Sequence, residues 1–330
     1  MKEFAYQRAD DAPGAVALLA ADPEARYLGG GTNLVDLMKT GIERPARLVD
    51  VRGLPLDGIG PTDDGGLHIG ATATNSDVAA HPEVRRRYPA LAQALLAGAS
   101  GQLRNMATVG GNLLQRTRCG YFTDATGPCN KRVPGSGCPA FEGEHRNHAI
   151  LGASRHCAAT HPSDMAVPLA AFDAVVAYET ADGPGRMPLA DLYPPVGDTP
   201  HVETALPAGA LITGVTLPPA PVAASSRYRK VRERASFAFA IGSVAAALEV
   251  RDGAVGEVRL AFGAVAPRPW RAREAERALA GGPLTADAFA AAADAELAAA
   301  EPLADNAYKV PLMRDLVVAV LTELAEEARS

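Results

Sequence analysis

Apolar residues fall into short runs punctuated by Gly, Pro and Asp, and the period of each run predicts an element. FAYQR near the start reads as a strand. DDAPGAVALLAAD reads as a helix, with Asp11 as its cap and Pro13 in the first turn, where the missing N–H is harmless. An apolar edge, ARYL, then runs into GGGTN, a helix follows from about Leu34 to Lys39, and RLVDV (47–51) is a strand. LHIGATAT alternates as a strand does, TNSDVAAHPEV starts a short helix capped by Asn75 or Ser76, and YPALAQALLAGAS is a longer helix ending near Gly98–Gly101. After position 165, MAVPLAAFDAVVAYET predicts a buried turn or helix and then a strand, and ADGPG is a hairpin turn. RMPLADLY and ALITGVTLP complete a small sheet, and PPAPVAA is a stiff linker. Beyond it RYRKVRERASFAFAIGSVAAALEV holds two strands, and RDGAV turns into a third, GEVRLAFGAV. Three helices follow, near 270–280, 285–300 and 312–328. Trp270 is expected to pack at the start of the first, without a chemical role. Strands followed by helices predict an α+β fold. The linker divides the chain into 1–222, itself split into 1–55 and 56–222, and a C-terminal α+β domain, 223–330.

Composition narrows the function only by exclusion. A length of 330 residues with 48% apolar and 21% charged positions is ordinary for a globular protein. A net charge of −6 argues against a nucleic-acid partner, and no Lys/Arg run reads as a membrane patch. No apolar run reaches the roughly 18 residues of a membrane-spanning helix. The N-terminus shows no export signal, so the expected compartment is cytoplasmic, the alternative being periplasmic by co-export with a signal-bearing partner.

The candidate chemistry lies in two glycine loops and one cysteine-bearing stretch. Gly29, Gly30 and Gly31 precede Thr32 and Asn33 at the start of a helix; without Cβ atoms the backbone can approach a diphosphate, and its N–H groups favour an anion. A plain tight turn would read the same way. The loop lacks the Rossmann GxGxxG pattern and the GK[ST] ending of a Walker loop. ATVGGNLL supplies a second glycine pair with a hydroxyl and an amide: Thr108, Gly110, Gly111 and Asn112. The two loops could clamp one dinucleotide from opposite sides. All four cysteines, Cys119, Cys129, Cys138 and Cys157, then fall within 39 residues, spaced C-x9-C-x8-C-x18-C. Such clustering in a long chain points to a shared metal or cluster more than to disulfides or scattered core thiols. Four thiolates can hold a [4Fe–4S] cluster or a zinc ion, but zinc sites usually show close cysteine pairs, which are absent here. His145, His148, His156 and His161 lie in or just after this stretch and could replace a cysteine, though their ordinary reading is packing or surface. Arg116, Arg118, Lys131 and Arg132 add positive charge that would offset an anionic cofactor.

YLGGGTNL together with ATVGGNLL resembles the FAD-binding subunit of the molybdenum hydroxylases, a family that includes xanthine dehydrogenase, carbon monoxide dehydrogenase and aldehyde oxidoreductases. The resemblance implies a FAD-binding domain of the vanillyl-alcohol-oxidase (PCMH) type, built of two α/β subdomains, plus a C-terminal domain with an antiparallel sheet and helices. It implies that Tyr27, Leu28, Gly29, Gly30, Gly31, Thr32, Asn33 and Leu34 bind the FAD diphosphate, and that Thr108, Gly110, Gly111 and Asn112 bind the diphosphate and ribityl region. It further implies that His161 and Asp164 of HPSDM hold the flavin, that Val215 packs on its ring, and that Lys230 sits beside it as a positive charge. Most of the family passes from GGN to SD far more directly, whereas here 51 residues separate Asn112 from Asp164. That insertion, about 115–160, resembles the subgroup of periplasmic-type aldehyde oxidoreductases whose flavin subunit carries an extra [4Fe–4S] cluster on four cysteines. Long structureless loops inside compact domains are usually functional.

The implied partners are a large molybdopterin-binding subunit and a small subunit with two [2Fe–2S] clusters, in a heterotrimer or a dimer of heterotrimers. The implied role is to pass electrons through FAD to an external acceptor such as a quinone, oxygen or a redox protein. Two rivals stay open: a self-sufficient flavin oxidoreductase of the same fold, for which no acid–base constellation is evident, and a zinc-stabilised binding protein without redox chemistry.

Overall fold

A computed structural model describes residues 1–329. The fold is mixed α and β, built around three sheets. The first is a small parallel sheet in which Arg47–Asp50 lies between Ala5–Arg8 and Ala25–Leu28. Parallel neighbours need crossovers, which the helices Ala12–Ala20 and Leu34–Thr40 provide. The first starts as predicted: Asp11 Oδ1 accepts the Gly14 N–H at 2.6 Å. The second ends on Gly41, whose φ of 77° is the left-handed cap that glycine takes without strain.

The second sheet is antiparallel and five-stranded, with Leu211–Leu217 at its centre between Leu67–Gly70 and Val175–Thr180, and Ile59–Pro61 and Gly183–Pro188 at the edges. Helices Asn75–Ala80, Pro82–Arg87 and Pro89–Ala97 pack near it over a core that includes Leu67, Tyr88, Leu91, Phe172 and Val215. The cap of Asn75–Ala80 is Thr74, one residue before the expected Asn75 or Ser76: its hydroxyl accepts the Asp77 N–H, because Thr74 is the last extended residue.

The third sheet, four strands in order, carries the C-terminal half: Ser226–Val231, Gly242–Arg251, Ala254–Gly263 and the short Trp270–Arg271. Arg273–Leu279, Ala286–Leu297 and Lys309–Glu327 cover it over a separate core of Val244, Leu260, Phe262, Phe289 and Leu321. Trp270 packs on this core and donates through Nε1 to Glu296, which also caps the first helix through the Glu274 and Ala275 N–H groups. The stiff segment before the sheet contains a 3-10 turn, Pro221–Ala224. No helix among the described residues is long and apolar enough to cross a membrane.

The cysteine stretch forms no sheet. It is a long loop with two short turns, Gly120–Thr123 and Pro139–Phe141, tied down at both ends of the molecule. Ile150 and Leu151 are buried in the C-terminal core, and both donate to the Val265 carbonyl. The Arg116 N–H donates to Asn33 Oδ1 at 2.9 Å, and its guanidinium pairs with Glu43 and Glu203. The insertion therefore touches both the first glycine loop and the C-terminal domain.

Candidate cofactor site

The two glycine loops meet because the second is strung along residues 71–75. The Val109 and Gly110 N–H groups donate to the Ala73 and Ala71 carbonyls at 3.0 and 2.9 Å, and the Asn75 N–H donates to Ala107 O at 2.8 Å. The closest approach is at Gly30. A Cβ built there would lie 1.7 Å from the Met106 carbonyl oxygen, so only glycine lets the two backbones run this close. A Cβ on Gly29 would fall 2.8 Å from Thr108 Oγ1. Gly31, at φ 72°, turns the chain into the helix.

Two cavities open on either side of this junction and share Thr32, Asn33 and Gly111. One, of about 310 Å³, is lined by Tyr27, Gly29, Gly30, Gly31, Leu34, Thr108 and Gly110, with Leu211 and Ile212 behind. The other, of about 570 Å³, is lined by Asn75, Asn112, Gln115, Arg118, Asp164, Lys230, Phe237 and Phe239. The two adjoining cavities, taken together as one groove, are mostly apolar and meet at Thr32, Asn33 and Gly111, an arrangement with room for a dinucleotide. Asn33 Nδ2 and Asn75 Oδ1 are buried without a hydrogen-bond partner among the described residues, so a donor and an acceptor on this groove are available to a polar ligand. On these observations the residues present fit FAD.

The inner wall of the larger cavity is electrostatically closed. Lys230 Nζ lies 2.7 Å from Asp164 Oδ2, Tyr228 OH donates to Asp164 Oδ1 at 2.6 Å, and the Lys230 side chain is 3% exposed. Burial and the Asp164 charge push the Tyr228 phenol well above its usual range, so it stays a donor. Lys230 lines the cavity, and its charge is matched by Asp164. Arg234 and Arg118 line this cavity without a carboxylate within ion-pair distance among the described residues; Arg234 donates to the Phe237 carbonyl, and Arg118 lies 5.0 Å over the Phe239 ring and donates to the Arg116 carbonyl. Burial pulls its pKa down, partly offset by Asp36.

Three expected contacts fall elsewhere. Leu28 ends its strand paired with Asp50 and packs beneath Gly31 rather than lining either cavity. Val215 is fully buried in the sheet core, paired with Ile69 and Val176; the residues of its strand that reach the groove are Leu211 and Ile212, next to a register shift between Ala177 and Tyr178. His161 turns away from the groove. Its ring packs edge-on against Tyr193 at 4.5 Å, Nδ1 accepts the Ser163 N–H, and it lines a separate small cavity. Burial, with help from Lys131, holds His161 down to about 3. Ser163, not singled out from the sequence, does the joining: its hydroxyl donates to Asn112 Oδ1 at 2.6 Å, tying the second glycine loop to the HPSDM turn. Asn75 and Gln115 were equally invisible, because only the tertiary approach of their segments brings them to the groove.

All four cysteines are free thiols and line one small cavity beside Phe122, Lys131 and His148. Burial raises Cys119 and Cys138, and Cys157 to about 11, and charge on neighbouring cysteines would raise each further. The cavity walls are held by local bonds: the Cys129 N–H donates to Ser136 Oγ at 2.9 Å, and Asn130 Nδ2 to the His156 carbonyl at 2.9 Å. Among the described residues no three His, Cys, Asp or Glu side chains converge as they would on a single metal ion. Cys119 directly follows Arg118, so one turn of chain links the thiol cavity to the larger half of the groove.

A chain with this groove, this inner wall and this third sheet is an FAD-binding subunit of the molybdenum hydroxylases, and it belongs to that family: residues 2–220 match the FAD binding domain in molybdopterin dehydrogenase, and residues 226–324 match the CO dehydrogenase flavoprotein C-terminal domain. It is an oxidoreductase component of that kind. It is 51% identical, over 99% of its length and 100% of the relative's, to the aldehyde oxidoreductase FAD-binding subunit PaoB of Escherichia coli K12. Among solved structures it resembles carbon monoxide dehydrogenase from Hydrogenophaga pseudoflava, at 26% identity and a TM-score of 0.75 over 99% of this chain and 98% of that one. It shares its fold with quinoline 2-oxidoreductase from Pseudomonas putida 86, at 24% identity and a TM-score of 0.78 over 100% of both chains.

Proposed function

We propose that this chain is the FAD and [4Fe–4S] electron-transfer subunit of an aldehyde oxidoreductase-type molybdenum hydroxylase. It works beside a large molybdopterin-binding subunit and a small subunit with two [2Fe–2S] clusters, and delivers electrons to an external acceptor. The observation that carries this reading is the adjacency of two sites: a dinucleotide groove formed by two glycine loops, and four free thiols around one cavity, joined through Arg118 and Cys119. When bound, FAD supplies the exchange of single electrons for pairs. The protein's own part is positional. Backbone around Gly29–Gly31 and Thr108–Gly111 would take the diphosphate, and the Asp164–Lys230 pair would present a rigid polar wall to the flavin. Cys119, Cys129, Cys138 and Cys157 would hold the cluster. Four thiols that line one cavity supply the number of ligands such a cluster needs.

The test is to purify the chain by an affinity tag together with whatever binds it. A molybdenum-containing partner and a second iron–sulfur partner should co-purify, and an aldehyde added without oxygen should bleach the flavin band. A tagged chain that purifies alone, with flavin no aldehyde reduces in the presence of cell extract, would favour the self-sufficient flavoprotein.

A further inference from the structure

The thiol cavity contains one contact that the cofactor reading leaves unused. His148 is buried, and its Nε2 lies 3.3 Å from Cys119 Sγ. Its Nδ1 is also buried and has no hydrogen-bond partner. A neutral imidazole carries one ring proton. On Nδ1 that proton would meet nothing; on Nε2 it faces sulfur. A protonated ring would donate from Nε2 as well, so the direction of the bond does not depend on the charge state. The backbone of His148 is pinned from the C-terminal helix: its carbonyl accepts from Lys309 Nζ at 3.0 Å and from Asn306 Nδ2 at 3.2 Å, and both residues are fully buried. Lys309 Nζ makes its second bond to the Ala264 carbonyl at 2.9 Å. No carboxylate lies within ion-pair distance of Lys309 among the described residues. A buried ammonium bonded only to carbonyls is costly unless an anion lies near, and the thiolates beyond His148 would supply that charge.

We propose that His148 is a positioning residue that tunes the iron–sulfur centre, donating Nε2–H to the Cys119 sulfur while Lys309 and Asn306 hold its backbone in place. This rests on the iron–sulfur reading above. Hydrogen bonds to a cluster's sulfurs favour its more anionic, reduced state and so raise its potential.

The assembled complex should be compared with His148→Leu and His148→Gln variants, by iron analysis and by an EPR-monitored redox titration of the extra cluster on the same samples. Expected is wild-type iron content in both variants and a more negative midpoint in His148→Leu. A tenfold change in the oxidised-to-reduced ratio at fixed potential would read as about 59 mV for one electron. Glutamine keeps an amide N–H that can donate, so His148→Gln should lie between the two. An unchanged midpoint in His148→Leu at full iron content overturns the proposal. Loss of iron from both variants, with thermal stability retained, makes His148 a ligand and overturns the donor role. A wild-type complex without the extra cluster's iron overturns the underlying reading instead, and is seen before any variant is made.

Discussion

Replacing Gly30 by alanine puts the closest approach of the two loops to the test. The added Cβ would sit 1.7 Å from the Met106 carbonyl oxygen and 2.5 Å from its carbon, where ordinary contact begins at 3.4 Å. Both atoms are backbone, so no rotamer change relieves the clash, and the loops must part by roughly 1.5 Å. Overpacking of this kind costs about 1–3 kcal/mol. The opening falls where the two halves of the groove share Thr32, Asn33 and Gly111, so the cost should appear in cofactor affinity. At about 3 kcal/mol the FAD dissociation constant rises on the order of a hundredfold. Titrating FAD-stripped protein with FAD and following flavin fluorescence measures this. Gly58→Ala is the control, since its Cβ would meet nothing within 4 Å. Wild-type FAD affinity in Gly30→Ala would refute the assignment of the loop junction to the cofactor.

Cys119→Ser is expected to lose the cluster's iron while keeping FAD, seen as loss of the broad absorbance beside the flavin bands; full iron in this variant would remove Cys119 from the ligand set. Lys230→Met leaves the half-buried Asp164 without its cation, and a thermal-shift scan should show a clear fall that adding Asp164→Asn partly restores; an unchanged melting temperature would mean the pair is not held as described. His161 titrates near 6.5 in the unfolded chain but is held to about 3 in the fold, so its contribution is complete above pH 6.5 and is lost as pH falls toward 3. The loss runs at about 1.4 kcal/mol per pH unit across that window, and unfolding scans between pH 7 and 4 should show a shallower acid limb in His161→Gln than in the parent.

The glycine loops were legible because their chemistry is local. The run Gly29–Gly31 before Thr32 reads equally as a tight turn until the second loop is set beside it, and the backbone contact at Gly30 shows why no side chain is tolerated there. The strands and helices of the C-terminal domain followed from period and turn residues in the same way. Val215 misled because the facing of a strand residue depends on register. The shift beside Tyr178 turns Leu211 and Ile212 toward the groove and leaves Val215 in the core. His161 misled because a motif gives proximity in sequence and not direction: its neighbour Ser163 makes the bond to Asn112 while His161 packs on Tyr193. Arg118 was visible only as one of several positive charges. That it stands in the groove without a carboxylate within ion-pair distance among the described residues follows from where the insertion folds back, which spacing does not encode.

Whether one chain holds a flavin and an iron–sulfur centre side by side is decided by an anaerobic visible spectrum of the purified chain, with iron, sulfide and zinc measured on the same sample. Flavin bands over a broad iron–sulfur background are expected, with about four irons and four sulfides per chain and no zinc. Flavin accompanied by one zinc and no sulfide would contradict the two-cofactor reading, leaving the fold intact and making the cysteine loop purely structural.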